Sequence, residues 1–350
     1  MSVKRLGSYP SLVRFETGLY SIDAALQSPT GDIGLPLRSI YEIYGRPGVG
    51  KSSLSYYLAG KTASLLPDKR IDLCDLEILD PDYVIASLEH SGFDGTLNFI
   101  GMRDTKNKRR SHESMIQELQ SNLELDDVSC GILDSVGAIV PIAEDEGEIG
   151  EANMGRRAKA VSQMSRKTIL TLRDLLYPKN LYIVNHVLSV LGGRGHTTPG
   201  GEAVKYLGAI RMMLWQDELI TNSKDVVTAF VTKGQVEKLR YGAKGRKFQF
   251  VVIPGYGVSA ELTALVDCVE LGIASRKSVV KIGNTSVGYL SKLVDSAKSG
   301  YSKTFEPFFE ALEKYKTSEV NQVSAPEETE SYDESEPVVL DQSDEIPMED

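Results

Sequence analysis

The chain has 350 residues, of which 41% are hydrophobic and 25% are charged, as in ordinary globular proteins. It contains no apolar stretch long enough to span a bilayer and begins without a signal-peptide core, so we expect an intracellular, cytoplasmic protein. Its three cysteines are widely separated, which argues against a disulfide framework or a metal knuckle and predicts reduced packing residues: Cys74, Cys130 and Cys268.

The net charge of −10 is concentrated at the carboxyl end. Residues 318–350 contain twelve acidic residues and no Lys or Arg, which leaves the remainder of the chain at +2. Such a segment cannot bury enough apolar surface to offset its ordering entropy, so we predict that it is disordered. Two interpretations stay open: a solubilising end, or an anionic segment that covers a basic DNA-binding surface.

The strongest local signal is the sequence GRPGVGKS at residues 45–52, which lies between an apolar run and a helical stretch. Glycines let successive backbone N–H groups surround phosphates, and the following helix directs the positive end of its dipole at them. Lys51 supplies charge to the outer phosphates, and the Ser52 hydroxyl can hold Mg²⁺. This pattern predicts a loop that binds the phosphates of a nucleoside triphosphate, made by Gly45, Arg46, Pro47, Gly48, Val49, Gly50, Lys51, Ser52 and Ser53.

Apolar runs then alternate with helical patterns, which predicts an α/β fold with a parallel sheet flanked by helices. Ligands of such sheets bind at the carboxyl ends of the strands. Glu77 ends one run and could orient a water molecule for attack on the γ-phosphate. Asp134 ends the second and would reach Mg²⁺ directly or through water. His186 follows the third and could contact the γ-phosphate, although an isolated Glu or His at such a place is also typical of a structural residue.

Two polar, glycine-rich segments follow these strands. Residues 144–157 run from acidic to basic and lead into a predicted helix, and residues 191–201 lead towards Lys205 and Arg211. Glycine-rich backbone with scattered cations suits close approach to phosphodiesters, but an active-site lid has a similar composition. On composition alone, both interpretations remain open.

The carboxyl-terminal part shows two amphipathic segments. The first begins after Ser259, a predicted N-cap, and the second covers residues 286–298. Together they predict a small α/β appendage. Four lysines could make it a gateway for duplex DNA or could form an ordinary solvated face: Lys277, Lys281, Lys292 and Lys298.

From Ser2 to about Lys316 the chain resembles the RecA-type homologous-recombination ATPases, which include bacterial RecA and the phage UvsX-like recombinases. Seven segments in the same order carry the resemblance: residues 17–26, 41–45, 75–77, 80–83, 134–136, 146–150 with 154–155, and 197–201 with Lys205. The resemblance implies a RecA-like ATPase core at residues 35–258, preceded by a short N-terminal segment (1–34). A small C-terminal α/β domain (259–317) and the disordered acidic tail (318–350) would follow.

The resemblance also implies roles for single residues. Glu77 matches the catalytic glutamate, and Asp134 matches the Mg²⁺-linked aspartate that acts with Ser52. Tyr83 would stack on adenine, and Lys238 would reach the ATP of a neighbouring subunit, although Val236 stands where the family has a second lysine. His186 would sense the γ-phosphate beside catalytic Lys51. UvsX-like proteins have His at this place and bacterial RecA has Gln, which favours a phage or divergent member acting in a bacterial cell or phage-infected host.

Residues 144–157 resemble the first DNA-binding loop of the family, and residues 187–201 resemble the second. The second loop carries no aromatic residue, so no base stacking is predicted there. The matching region starts almost at Met1, so the docking helix that opens bacterial members is not expected. The implied DNA contacts are Met154, Gly155, Arg156, Arg157, Lys159, Arg166, Arg194, His196, Gly200, Gly201, Lys205 and Arg211.

These matches imply a DNA-dependent ATPase that uses ATP and Mg²⁺ to form filaments on single-stranded DNA. It would pair that strand with homologous duplex DNA and exchange strands in recombination and repair, with loading or single-strand-binding proteins as further partners and no membrane. Three alternatives remain: a non-polymerising mediator of the same fold, a ring-forming helicase-like motor, and an ATP-dependent scaffold without a DNA role. The match at residues 146–150 argues against the ring-forming motor.

Overall fold

The structure is a computed structural model that describes residues 13–66, 70–140, 142, 163, 166–168, 172, 179–189, 196–199, 204–206, 208–240, 242–277, 279–300 and 302–319. The strands in these residues are β1 (Arg14–Phe15), β2 (Leu35–Pro36), β3 (Ile40–Gly45), β4 (Arg70–Asp75), β5 (Thr96–Ile100), β6 (Val128–Asp134), β7 (Asn180–His186), β8 (Leu188–Ser189), β9 (His196–Thr197), β10 (Ile210–Thr221), β11 (Val227–Leu239), β12 (Lys247–Ile253), β13 (Gly257–Ser259), β14 (Ala274–Arg276), β15 (Val280–Ile282) and β16 (Thr285–Gly288). The helices are α1 (Tyr20–Ala25), α2 (Lys51–Ala63), α3 (Pro81–Glu89), α4 (His112–Asn122), α5 (Ala260–Glu270), α6 (Leu290–Lys298) and α7 (Glu306–Glu319), with 3₁₀ turns at Val136–Ala138 and Ser302–Thr304.

A nine-stranded sheet forms the centre, in the order β13-β12-β11-β10-β3-β7-β6-β4-β5. The strands from β10 to β5 run parallel, and β11, β12 and β13 extend the sheet in antiparallel fashion. Every residue of β3 and β6 is buried, as expected for parallel strands that are covered on both faces. The predicted α/β fold with a mainly parallel sheet is confirmed.

Helices cover the two faces of this sheet because successive side chains of a strand point to opposite sides. Cys130 and Ile132 of β6 belong to the apolar cluster that includes α2, whereas Leu133 belongs to the cluster that includes α4. All three cysteines of the chain are free and buried, which agrees with their predicted packing role. The arrangement brings the carboxyl ends of β3, β4, β6 and β7 to one edge of the sheet.

The carboxyl-terminal elements pack around α5. Its N-cap is Ser259, as predicted, since the Ser259 Oγ accepts a hydrogen bond from the Leu262 N–H at 3.2 Å. The prediction of one amphipathic segment over residues 286–298 is wrong at its start, because residues up to Gly288 form β16 and the helix begins at Leu290. Gly288 has a φ of +144°, which a continuing helix cannot adopt. One apolar cluster joins α5, α6 and α7 to β11 and β12, and the boundary at residue 259 stays a prediction.

Candidate active site

The loop between β3 and α2 has the geometry of an anion cradle. Gly48 and Gly50 adopt φ values of +78° and +86°, which favour glycine. A Cβ atom at Gly50 would lie 2.9 Å from Val252 Cγ2, and Thr232 Oγ1 donates to the Val49 carbonyl at 2.9 Å. The N-terminus of α2 has no side-chain cap, so its first N–H groups remain available to an anion.

A pocket at the carboxyl edge of the sheet joins this loop to the predicted site residues. Its lining includes Lys51, Ser52, Ser53, Glu77, Tyr83 and His186. The opposite wall comes from Phe230, Val252, Pro254 and Gly255. These four were not predicted from the sequence, because nothing in the order of elements shows that β11 and β12 return to the phosphate loop.

Lys51 is the first residue of α2, directly after the glycines of the loop, and its side chain is buried. Its Nζ donates to the Arg46 carbonyl at 2.9 Å, and the residue is 6% exposed. Burial lowers the pKa of Lys51, while the carboxylates of Asp134 and Glu77 act in the opposite direction. A bound phosphate would therefore have to draw the ammonium group away from a single carbonyl.

Asp134 offers a free oxygen beside the loop. Its Oδ2 accepts a hydrogen bond from the Tyr56 hydroxyl at 3.1 Å, whereas the buried Oδ1 has no hydrogen-bond partner. Burial raises the pKa of Asp134 to about 6, and the Ser52 hydroxyl lowers it in part. An unsatisfied carboxylate oxygen beside a hydroxyl fits Mg²⁺, which prefers oxygen ligands and keeps several waters. The described residues contain no group of three or more His, Cys, Asp or Glu that could hold a metal ion.

Glu77 and His186 contact each other directly across two strand ends. Glu77 Oε1 lies 2.6 Å from His186 Nε2, which is also 3.1 Å from Ser135 Oγ. The hydrogen bond from His186 lowers the pKa of Glu77, and a further bond from Ser135 adds to this effect against the cost of burial. Asp75 fixes the turn that carries Glu77, because its Oδ1 accepts from the Glu77 N–H at 2.9 Å.

The end of β7 also contacts the segments that lead into both predicted DNA loops. A Cβ atom at Gly137 would lie 2.4 Å from His186 Cδ2, so the 3₁₀ turn before the first loop packs tightly on the His186 ring. Asn185 Nδ2 donates to the Pro199 carbonyl at 3.0 Å, at the end of the second loop. A displacement of His186 or Asn185 would therefore change the packing of the turn before the first predicted loop and of the end of the second.

Arg211 belongs to a buried network that starts from the same asparagine. Asn185 Nδ2 donates to Glu42 Oε1 at 2.8 Å, and Arg211 Nε donates to Glu42 Oε2 at 2.5 Å. The Glu42 side chain is fully buried, and that of Arg211 is 11% exposed over the Tyr44 ring. Arg211 was predicted to contact DNA, and that role stays a prediction; its Nε is engaged with Glu42, and its Nη1 lies 3.6 Å from Glu237 Oε2.

Of the other predicted site residues, some line the pocket, some lie away from it and some are not described. Tyr83 lines the pocket with its hydroxyl 2.5 Å from Ser53 Oγ, and its stacking on adenine stays a prediction. Lys238 Nζ donates to the Lys205 carbonyl at 2.6 Å, away from the pocket of its own chain. Arg166 is exposed. The remaining predicted DNA contacts lie outside the described residues, or in the case of His196 have an undescribed side chain: Met154, Gly155, Arg156, Arg157, Lys159, Arg194, His196, Gly200 and Gly201.

Comparison with known proteins decides the family. The family model of the RecA N-terminal domain matches residues 2–259. The chain belongs to the RecA family. This finding confirms the resemblance carried by the seven sequence segments, and the pocket described above lies within the matched region of this RecA-family chain.

Three relatives show how far the similarity extends. Protein RecA of Saccharopolyspora erythraea is 30% identical over 79% of this RecA-family chain and 76% of its own length. Protein RecA of Ruminococcus albus is 28% identical over 74% of this chain, and the match spans 62% of that relative. Protein RecA of Geobacter sulfurreducens is 26% identical over 79% of this chain and 78% of its own length.

None of the described helices has both the length and the apolar character needed to cross a membrane.

Proposed function

We propose that this RecA-family chain is a DNA-dependent ATPase that forms filaments on single-stranded DNA and catalyses homologous pairing and strand exchange. The observation that carries the proposal is the Glu77–His186 pair, which faces the phosphate loop and packs against the turn before the first predicted DNA loop. Family membership supports the recombination role.

Each of the pocket residues would have a different role in ATP hydrolysis. Lys51, once released from the Arg46 carbonyl, would bind the outer phosphates of ATP. Glu77, whose lowered pKa keeps it ionised at neutral pH, would orient the attacking water and accept its proton. Ser52 and Asp134 would hold Mg²⁺, which supplies positive charge to the phosphates when bound.

Binding of ATP would change the contacts of His186. A γ-phosphate in the pocket would compete with Glu77 for His186 Nε2, because this one ring nitrogen is the atom that contacts the carboxylate. The ring that moves towards phosphate also changes its contact with Gly137, while Asn185 holds the end of the second loop. ATP would thereby favour one arrangement of both DNA loops, and hydrolysis would release it.

Sequence would be read by base pairing between DNA strands rather than by the protein. The cations of the predicted loops would contact phosphates, which carry no sequence information directly. Affinity should therefore vary little with DNA sequence and fall steeply with salt. The same cations in a protein scaffold without a DNA role would show no such dependence.

Negative-stain electron microscopy with single-stranded DNA, Mg²⁺ and a non-hydrolysable ATP analogue tests the proposal. We expect helical filaments with the analogue and short or no filaments with ADP. Closed rings would contradict the proposal in favour of a ring-forming motor. DNA binding without filaments would contradict it in favour of a non-polymerising mediator.

A further inference from the structure

A basic hairpin protrudes from the sheet directly after β5, the last strand of the sheet order. Residues 103–110 have the sequence RDTKNKRR, with five basic residues and one acidic residue. Most of the hairpin is exposed, including Arg103, Lys106, Lys108 and Arg109. The phosphate loop, Glu77 and His186 follow strands of the same parallel group, so the hairpin lies on their edge of the sheet.

The hairpin is ordered by its own backbone. Arg103 and Arg109 form an antiparallel bridge, and the Asp104 N–H donates to the Lys108 carbonyl at 3.0 Å. Asp104 Oδ1 accepts from the N–H groups of Lys106 and Lys108 at 2.9 and 2.8 Å. The single acidic side chain is therefore engaged with backbone, and the lysines are presented from a fixed turn.

The segment after the hairpin holds the entrance of the first predicted DNA loop. His112 and Glu113 begin α4, two residues beyond the hairpin. His112 Nδ1 accepts from the Val140 N–H at 2.9 Å, and Glu113 Oε1 accepts from the Ile142 N–H at 2.7 Å. Residue 142 precedes the predicted loop at 144–157 by two positions, so the start of α4 anchors the described residues that lead towards that loop.

We propose that the hairpin at residues 103–110 is an additional DNA-backbone contact, which extends the surface of the first DNA loop through Lys106 and Lys108. The inference rests on the proposed function, because the loop beside the hairpin must itself bind DNA. Its ligand is the phosphodiester chain, since residues 103–110 present ordered cations and contain no aromatic residue that could stack on a base.

The acidic carboxyl-terminal segment is the competing ligand for these cations. It follows α7, which packs against α5 beside β12, whereas the hairpin follows β5 near the opposite end of the sheet. Seven strand spacings separate β12 from β5, which is roughly 30 Å. The acidic segment therefore begins on the other side of the sheet from the hairpin, and the binding experiment below distinguishes the two ligands.

The test is binding of the full chain to a labelled oligothymidine, with Mg²⁺ and a non-hydrolysable ATP analogue, over a range of salt. For Lys106→Ala/Lys108→Ala we expect roughly tenfold weaker binding near 50 mM salt. The plot of log affinity against log salt should also become shallower by about 1.4, which corresponds to two lost single-strand phosphate contacts. Lys106→Arg/Lys108→Arg should restore both values.

The matched control is Lys224→Ala/Lys247→Ala, which removes two exposed lysines outside every predicted DNA-binding segment and should keep the parent values. Unchanged affinity and slope in the hairpin variant would overturn the inference. Tighter binding would also overturn it, because it would mean that the lysines hold the acidic segment. If the parent chain itself fails to bind DNA, the proposed function fails instead, so the two failures are distinguishable.

Discussion

Glu77 Oε1 lies 2.6 Å from His186 Nε2, so the carboxylate predicted to orient water is bonded to the side chain predicted to sense the γ-phosphate. Both are accessible from the pocket, with side chains 32% and 27% exposed. A nucleotide can therefore reach either one. The proposed general base and the proposed γ-phosphate sensor are thus hydrogen-bonded to each other in the pocket.

Replacement of His186 should change the pH dependence of hydrolysis. The His186 hydrogen bond lowers the pKa of Glu77, so His186→Ala should raise that pKa towards its ordinary value. Because a base acts only when it is deprotonated, the acid limb of the kcat/KM profile should move to higher pH. His186→Gln keeps a hydrogen-bond donor and should move it less. An acid limb that stays in place in His186→Ala would mean that this contact does not control Glu77.

Lys51→Ala should abolish most of the ATP hydrolysis. Removal of one preorganised donor to a developing charge costs about 100-fold or more in turnover. Lys61→Ala is the matched control, because Lys61 lies on the same helix with its Nζ 5.4 Å from the Tyr57 ring centroid and does not line the pocket. Steady-state hydrolysis by both variants gives the comparison. Normal turnover in Lys51→Ala would contradict the nucleotide assignment.

Asp134→Asn should stabilise the protein while it removes Mg²⁺-dependent hydrolysis. The folded-state pKa of Asp134 is about 6, above its ordinary value of 3.8, so folding favours the protonated form. The corresponding stability is fully present below pH 3.8 and is lost as the pH rises through about 6. A neutral amide at this position avoids this loss. The free energy of unfolding of the variant should therefore exceed that of the parent by up to about 3 kcal/mol at pH values above about 6.

Urea unfolding in a chelating buffer, at pH 8 and again at pH 4, measures this gain. The free energy of unfolding of Asp134→Asn should exceed that of the parent at the higher pH only. Equal stability of the two chains at pH 8 would show that the buried carboxylate is compensated by a group other than bound metal.

Arg211→Ala should unfold more easily rather than simply bind DNA less well. Arg211 neutralises Glu42, whose side chain is fully buried, and loss of one partner from such a pair costs about 3–5 kcal/mol. Glu42→Gln/Arg211→Met should recover most of the loss, since no charge remains buried. Chemical denaturation of the two variants tests the pair. A weakened affinity for DNA with an unchanged free energy of unfolding would instead support the DNA-contact role of Arg211.

The sequence predicted those parts of the site that depend on local pattern. The pattern of residues 45–52 is sufficient by itself to predict the phosphate loop. Glu77 and Asp134 each follow an apolar run, which places them at the carboxyl edge of the sheet. The bond between Arg211 and Glu42 could not be predicted, because it depends on β10 pairing with β3 in a register that sets these two residues side by side. The basic hairpin is visible as a charge run, but the contact of the helix after it with Val140, which precedes the predicted first DNA loop, follows only from the structure.

The error at residues 286–298 has a different physical origin. Apolar residues at helical spacing continue through Val287 and Leu290, and local periodicity therefore predicts one element. Pairing of β16 with β15 and the positive φ of Gly288 divide the segment into a strand and a helix. Tertiary pairing of this kind overrides a pattern that is compatible with both structures.

ATP hydrolysis measured with and without single-stranded DNA is the decisive experiment for the coupling between the nucleotide site and the DNA loops. Single-stranded DNA should strongly stimulate turnover, and Glu77→Gln should lose turnover while it still binds ATP and DNA. Turnover that is the same with and without DNA would contradict this expectation, because the coupling from His186 and Asn185 to the two loops would then have no effect on the nucleotide site.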